Sequence, residues 1–355
     1  MTPRDIQTEA ARISAVFQGA GAVPVEAAIL QPAEVLLDLY GEDIRVRAYV
    51  TDDPVAGEMM LRPDFTVPVV QMHMQSRAEP ARYTYNGPVF RKQDDDPSRA
   101  HEYAQVGYEV FDGQSPAAAD ADVFATVKAA LGDANVRAAT GDIGLLKAAV
   151  AGLKTSDARK AALMRHIWRP GRFKALLDRF GGKTPVPAKR KALLAADDPF
   201  KGVGPVVGLR SKAEVEARIA ALQADAATAP ISDEDIALIE ALLGLRETLP
   251  HVLSALRDIA VDMPAIATAV HDFEARMEAF AARGIDVDAL SFEGSYGRTS
   301  LEYYSGFVFG FYASHDARPV ATGGRYDALT EVLGEGRAVP AVGGVIRPDL
   351  LLEVR

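Results

Sequence analysis

Two stretches of this sequence carry side chains whose types and spacing suit the recognition of a small polar molecule. In Glu102-Tyr103-Ala104-Gln105-Val106-Gly107-Tyr108-Glu109, an extended backbone points Gln105, Gly107 and Glu109 to one face. The missing side chain of Gly107 leaves room there between a carboxamide and a carboxylate, so the face can hold a small polar ligand. The same alternation over Glu302 to Gly310 places Tyr304, Gly306 and Gly310 on one side and Tyr303, Phe307 and Phe309 on the other, one face cavity-like and one core-like. The plainer alternative is that these glycines mark bulges or close sheet packing.

Other chemistry is poorly represented. The six histidines show no ligand spacing such as H-x-x-x-H, so no metal site is expected. Gly202-Val203-Gly204-Pro205 superficially suggests a phosphate loop, but Pro205 removes an amide donor and no convincing strand precedes it. The pairs Asp52-Asp53 and Asp197-Asp198 each precede a proline without a phosphate cradle after them, and read as turn residues.

Composition narrows the class further. The chain has 355 residues, 48% hydrophobic and 25% charged, as expected of a folded protein of two or three domains or of one α/β core with an inserted module. A net charge of -10 disfavours nucleic acid as a partner. Having no cysteine, the chain forms no disulfide, thiolate nucleophile or cysteine-based zinc site, which suits a reducing compartment. The polar start and the lack of any apolar run approaching about 18 residues point to a cytoplasmic, non-membrane protein.

The elements that must position the two ligand-binding stretches can be read from periodicity. Thr2-Pro3 begins an amphipathic helix through Ile6, Ala10, Ile13 and Phe17. A second helix starts at Gln31-Pro32, and the alternation of Ile44, Val46, Ala48 and Val50 predicts a strand. Residues 58–62, 82–91 and 102–111 also read as extended, 117–131 as an alanine-rich helix ending at Gly132, and 136–140 as a short strand. The sheet pattern then gives way, from about 143 to 282, to helical segments rich in Ala, Leu, Lys and Arg, and returns from about 286. The economical reading is an α+β core in two parts, 1–142 and 283–355, interrupted by a helical insertion over 143–282.

With these motifs in order, the sequence resembles the class II histidyl-tRNA synthetases. Leu61-Arg62-Pro63-Asp64-Phe65-Thr66 is similar to the family's R-P-E-x-T block. Tyr85-Asn86-Gly87-Pro88-Val89-Phe90-Arg91 and Arg99 to Glu109 are similar to motif 2, and Leu301 to Phe309 to the histidine-specific L-D-Y-Y-x-G-x-V-F element. Gly323-Gly324-Arg325-Tyr326-Asp327 matches the G-G-R-Y-D loop, and Pro32 the motif 1 proline of the family's dimer interface. The resemblance implies an antiparallel sheet flanked by helices and a homodimer. It further implies that Asp64, Thr66 and Gln105 hold the ammonium end of histidine, while Glu109, Tyr304 and Tyr326 surround its imidazole.

The departures imply a lost reaction. Motif 2 retains Arg91 as a vestigial phosphate contact, but Gln93 and His101 stand where the family has an acid and a second arginine. Thr299 occupies the place of the arginine that stabilises adenylate formation, with Arg298 one residue out of register and so on the opposite face. Motif 3 places Leu350 where an arginine clamps ATP; Arg347 is displaced and Pro348 interrupts the segment. Each lost charge contact costs about 10²–10³ in rate. The sequence stops soon after motif 3, so no anticodon-reading domain is expected. This pattern resembles the synthetase-like regulatory subunits that bacteria pair with short-form ATP phosphoribosyltransferase, which implies a non-catalytic role, histidine as effector, the catalytic subunit as partner and no cofactor. The rival readings are a trimmed synthetase paralogue that activates an amino acid for an unusual acceptor, and a scaffold with an empty pocket.

Overall fold

The computed structural model describes residues 2–40, 44–76, 78–93, 99–201, 204, 208–298, 303–314 and 318–355. Thr299, Leu301, Glu302 and most of the Gly202–Pro205 loop lie outside them. At the centre are six strands, β1 (Ala81–Phe90), β2 (Glu102–Phe111), β3 (Arg137–Asp142), β4 (Phe307–Tyr312), β5 (Pro319–Arg325) and β6 (Ala341–Ile346). They run antiparallel in the spatial order β1-β2-β6-β5-β4-β3. Short strands extend both edges, Val23–Pro24 beside β1, and Ser291–Glu293 followed by Arg246–Thr248 beyond β3.

Alternation along the strands gives the sheet two unlike faces. Val106, Tyr108 and Val110 of β2, with Val342 and Ile346 of β6, face a core closed by helices. One is α1 (Pro3–Gly19), whose start is a capping box in which Thr2 and Asp5 satisfy each other's backbone N–H. Its Phe17 stacks on Tyr108, centroids 5.3 Å apart. Another is α2 (Pro116–Leu131), whose small alanines let Phe124 and Val127 approach the strands closely. A third, α3 (Ala267–Ala282), packs Phe280 against Phe124. The opposite face carries a smaller apolar cluster around Phe65, Tyr85, Tyr304 and Tyr326.

Between β3 and α3 the described elements are helices apart from the strand Arg246–Thr248. Helices Ala188–Ala195 and Lys212–Ala227 bury no residue. No described helix is long and apolar enough to cross a membrane. The strand predicted over Ile44 to Val50 is instead a single helical turn, Ile44–Arg47, with the extended backbone starting at Val50 and running to Asp53. The period-2 pattern there reflects no two-faced burial, since Val46 and Val50 are both exposed.

A buried ion network clamps helices to the strand ends. Asp120 of α2 accepts from Arg325 Nη2 at 2.7 Å and from Arg276 Nη1 at 3.3 Å. Arg276 also bonds Asp142, which caps the next helix through Gly144 N–H at 2.8 Å. Arg325 reaches Asp327 at 3.0 Å and the Pro116 carbonyl at 2.8 Å. Both guanidiniums are almost wholly buried, so removing their shared carboxylate leaves each with a single carboxylate, Asp142 or Asp327, and a buried charge only partly compensated. Asp120→Ala is expected to cost roughly 3–5 kcal/mol of stability, measured by urea or thermal unfolding.

Candidate functional site

One cavity of about 1020 Å³ opens on the face of the sheet away from the helices. It is lined by every residue singled out for histidine, Asp64, Thr66, Gln105, Glu109, Tyr304 and Tyr326, and by Arg91.

Glu109 forms its floor. Buried on β2, its carboxylate accepts from Thr66 Oγ1 at 3.2 Å, Tyr85 Oη at 2.9 Å and Tyr326 Oη at 2.6 Å. Burial pushes the carboxyl up to about 7, against these three hydroxyls, which favour the ionised form. With the folded value above the unfolded one, the empty site takes up a proton on folding. That stabilisation is complete at low pH and is lost as pH rises from about 4.5 to about 7. The neighbouring tyrosine hydroxyls, Tyr85, Tyr304 and Tyr326, are all held above their ordinary range, first by burial.

Two glycines make this floor possible. A Cβ at Gly343 would lie 1.5 Å from Glu109 Oε2, so β6 must be bare where the carboxylate crosses it. Gly107 sits opposite Tyr85 in the β1–β2 register, and a Cβ there would lie 2.0 Å from the tyrosine ring. The gap beside Gly107 is therefore filled by the Tyr85 ring, which reaches Glu109, and is not left open for ligand as the strand pattern suggests. Tyr85 is the residue that sequence reasoning missed; its signal, a tyrosine facing a glycine across two strands, appears only once the register is known.

Asp64 and Thr66 are placed by a short segment stapled to β1. Arg62 Nε donates to the Pro88 carbonyl at 2.9 Å, its guanidinium lies 3.9 Å over the Phe65 ring, and Phe65 stacks on Tyr85 at 4.3 Å. Asp64 then accepts the Val67 N–H at 3.4 Å, at the start of helix Thr66–Ser76. Gln105 enters the cavity from β2 buried, and its Oε1 has no hydrogen-bond partner among the described residues. Such an orphaned acceptor costs free energy until a donor arrives.

The tyrosine element departs from the predicted strand. β4 begins only at Phe307, and the turn before it sends both Tyr303 and Tyr304 to the cavity; Tyr303 Oη donates to Thr66 Oγ1 at 3.4 Å. Strand alternation fails there because Ser305 is held by the backbone, its N–H donating to the Arg325 carbonyl at 2.7 Å. Phe307 and Phe309 do face the helical core as expected.

The phosphate-side residues fall out unevenly. Arg91 donates to the Pro63 carbonyl at 2.7 Å and lines the cavity, as does Gln93. His101 is instead an exposed partner of Tyr49. Leu350 is buried in the helix-side core and offers nothing to the cavity. Arg298 is turned away, donating from Nε to the Ile167 carbonyl at 2.9 Å. The motif 3 expectation needs one correction: Pro348 does not distort the segment but is the first residue of helix Pro348–Glu353. Arg347 just before it points into the cavity, 3.9 Å over the Tyr103 ring and paired with Asp349.

The histidyl-tRNA synthetase family profile matches residues 2–197 and 210–351. An ATP phosphoribosyltransferase regulatory subunit of Mesorhizobium japonicum is 30% identical over 366 aligned positions, covering 98% of this chain and 97% of that protein. One of Brucella anthropi is 32% identical over 351, covering 92% of each. Among solved structures, an ATP phosphoribosyltransferase regulatory subunit/histidyl-tRNA synthetase from Bacillus halodurans superposes with a TM-score of 0.69 at 21% identity, covering 99% of this chain and 79% of that one. A histidyl-tRNA synthetase from Nostoc gives 0.65 at 17%, covering 99% and 71%; both likenesses concern the fold. With the cavity built from the matching motifs and relatives aligned along nearly the whole length, the chain belongs to the histidyl-tRNA-synthetase-like family of ATP phosphoribosyltransferase regulatory subunits.

Proposed function

We propose that this chain is the histidine-sensing regulatory subunit of a short-form ATP phosphoribosyltransferase, acting in histidine biosynthesis without charging tRNA. The observation that carries the reading is the pairing, in one cavity, of an orphaned buried acceptor, Gln105 Oε1, with a carboxyl raised to about 7, Glu109. Both are relieved by a ligand bearing N–H donors. Histidine supplies an ammonium group for Asp64, Thr66 and Gln105, and an imidazole N–H for Glu109 between Tyr304 and Tyr326. A ligand lacking these groups leaves them desolvated and unpaired, which is the basis of discrimination.

The partner is the catalytic subunit, which makes phosphoribosyl-ATP from ATP and phosphoribosyl pyrophosphate, and the effector is histidine. The chain acts as a homodimer through the region of Pro32, a reading supported by the exposed apolar residues Ile29, Leu30, Val46 and Val50 around the small sheet of Leu30–Pro32, Gly57–Leu61 and Val50–Asp53. Residues 143–282 act as a helical insertion between the two halves of the core, and the protein works in the cytoplasm.

Arg91 and Arg347 at the cavity wall favour the alternative, a trimmed synthetase paralogue that still binds ATP. The sequence places Thr299 and Leu350 where that chemistry needs arginines, and Arg347 is already neutralised by Asp349. The purified chain is therefore expected to show no histidine-dependent exchange of pyrophosphate into ATP, and to raise phosphoribosyl-ATP synthesis when added to a short-form catalytic subunit. Robust exchange, or no stimulation, would move the assignment to the enzyme.

Glu109→Ala is expected to weaken histidine binding by roughly 1–3 kcal/mol, about 5- to 150-fold, by titration calorimetry, and to shift the inhibition curve of the complex to higher histidine while basal synthesis persists. Without histidine, Glu109→Gln is expected to remove the loss of stability that the raised Glu109 carboxyl predicts for the parent protein between pH about 4.5 and 7, measured by thermal unfolding across that range. Unchanged histidine affinity in both variants would remove Glu109 from the ligand site.

A further inference from the structure

The charges of this acidic chain are segregated. Residues 143–212 carry 16 Lys and Arg against four Asp and Glu, while all other residues together carry 23 against 45. Part of the basic charge is answered internally: Arg159 and Arg179 share Asp225, and Lys174 bridges Asp178 and Glu240. At the elbow joining helices Asp157–Arg165 and Pro170–Phe180, two guanidiniums are left unanswered among the described residues. Arg165 and Arg172 are exposed there and make no ion pair among the described residues. Arg169 stands in the same turn, its N–H bonded to the His166 carbonyl at 3.0 Å. The His166 imidazole is held below its ordinary range by burial and then by the charges of Arg169, Arg172 and Arg165.

The same elbow is tied to the cavity. Arg298, which directly follows the cavity-lining Gly297, donates to the Ile167 carbonyl at 2.9 Å and lies 4.8 Å over the Phe173 ring. Lys147 donates to the Tyr304 carbonyl at 3.2 Å, with its ammonium 5.9 Å from the Trp168 ring. A movement of the cavity wall at Tyr304 or at Gly297 is thereby passed to the elbow, through half-buried Lys147 in the first case and buried Arg298 in the second. A ligand that favours one position of Tyr304 biases the elbow by its differential affinity for the two arrangements.

We propose that this elbow, centred on Arg165 and Arg172, docks an acidic face of the catalytic subunit, and that histidine in the cavity alters this docking through Lys147 and Arg298. The inference rests on the regulatory reading above and adds the surface and the route. An acidic protein patch fits better than nucleic acid: a duplex presents phosphate along its whole length, and the strongly acidic remainder of this chain would repel it beyond the elbow. A compact acidic patch meets only the cations.

The test compares the full-length chain with Arg165→Glu/Arg172→Glu and with Arg165→Lys/Arg172→Lys, each titrated against a purified short-form catalytic subunit by sedimentation at two salt concentrations. The parent and the lysine variant are expected to bind, more tightly at low salt, and the glutamate variant at least about tenfold more weakly. Histidine affinity of the isolated variants, by calorimetry, is expected to match the parent and shows that the fold is intact. Saturating histidine is expected to shift the parent's affinity for the catalytic subunit by about fivefold or more, and Arg298→Met or Lys147→Met to abolish that shift. Equal binding by the glutamate variant beside a binding parent overturns the docking surface and leaves the regulatory reading standing. A parent that binds no catalytic subunit sinks both. Tighter binding of the parent to tRNA or duplex DNA, lost in the glutamate variant, assigns the elbow to nucleic acid and overturns the proposal.

Discussion

A carboxylate buried at the bottom of a cavity has to be answered by groups from elsewhere in the chain, and much of this structure follows from how Glu109 is answered. Its three hydroxyl donors come from a helix start at Thr66, from the first long strand at Tyr85 and from the loop after β5 at Tyr326. A fourth segment contributes an absence, the bare backbone of Gly343. A one-residue slip of β2 would break all of these contacts, because it turns Glu109 to the opposite face. The pocket therefore depends on the register of β2 against β1 and β6.

The second buried carboxylate, Asp120, is answered differently. It receives two guanidiniums, Arg276 and Arg325, and serves to hold helices against strand ends. Glu109 receives only neutral hydroxyls, which support its charge incompletely, and burial leaves its carboxyl near neutrality. The contrast separates a carboxylate whose charge is answered by cations from one supported by neutral donors alone. A site that carried its own arginine partner would have nothing left to offer an incoming N–H donor. The Arg325–Asp120 pair still matters to the pocket, because Arg325 directly precedes Tyr326 and its carbonyl holds Ser305 beneath the tyrosine turn.

Around this floor the cavity wall mixes retained and lost features of synthetase chemistry. Arg91 and Arg347 flank Tyr103 at 6.0 and 3.9 Å, while Leu350 has joined the apolar core and Arg298 has turned to the elbow. The guanidinium of Arg298 thereby ties the cavity wall beside Gly297 to the helices beyond it. One substitution pattern can therefore leave an arginine out of the cavity and supply a connection to neighbouring helices.

Much of this was legible in the linear sequence. The helix start at Thr2-Pro3, the alternation in residues 102–111, the alanine-rich helix ending at Gly132 and the separated motifs each depend on near neighbours, and periodicity and motif order record such local constraints directly. The six residues assigned to histidine were read from those motifs, and the structure gathers them around one cavity. What the tertiary structure alone decided depends on strand register and on the breaking of periodicity. Tyr85 fills the gap beside Gly107 because two strands meet there. Tyr303 enters the cavity because a backbone bond at Ser305 ends the alternation. Arg347 reaches the wall because Pro348 starts a helix. Period-2 reasoning assigns faces correctly only while the chain stays in a strand, and it carries no information on which residue of another strand lies opposite.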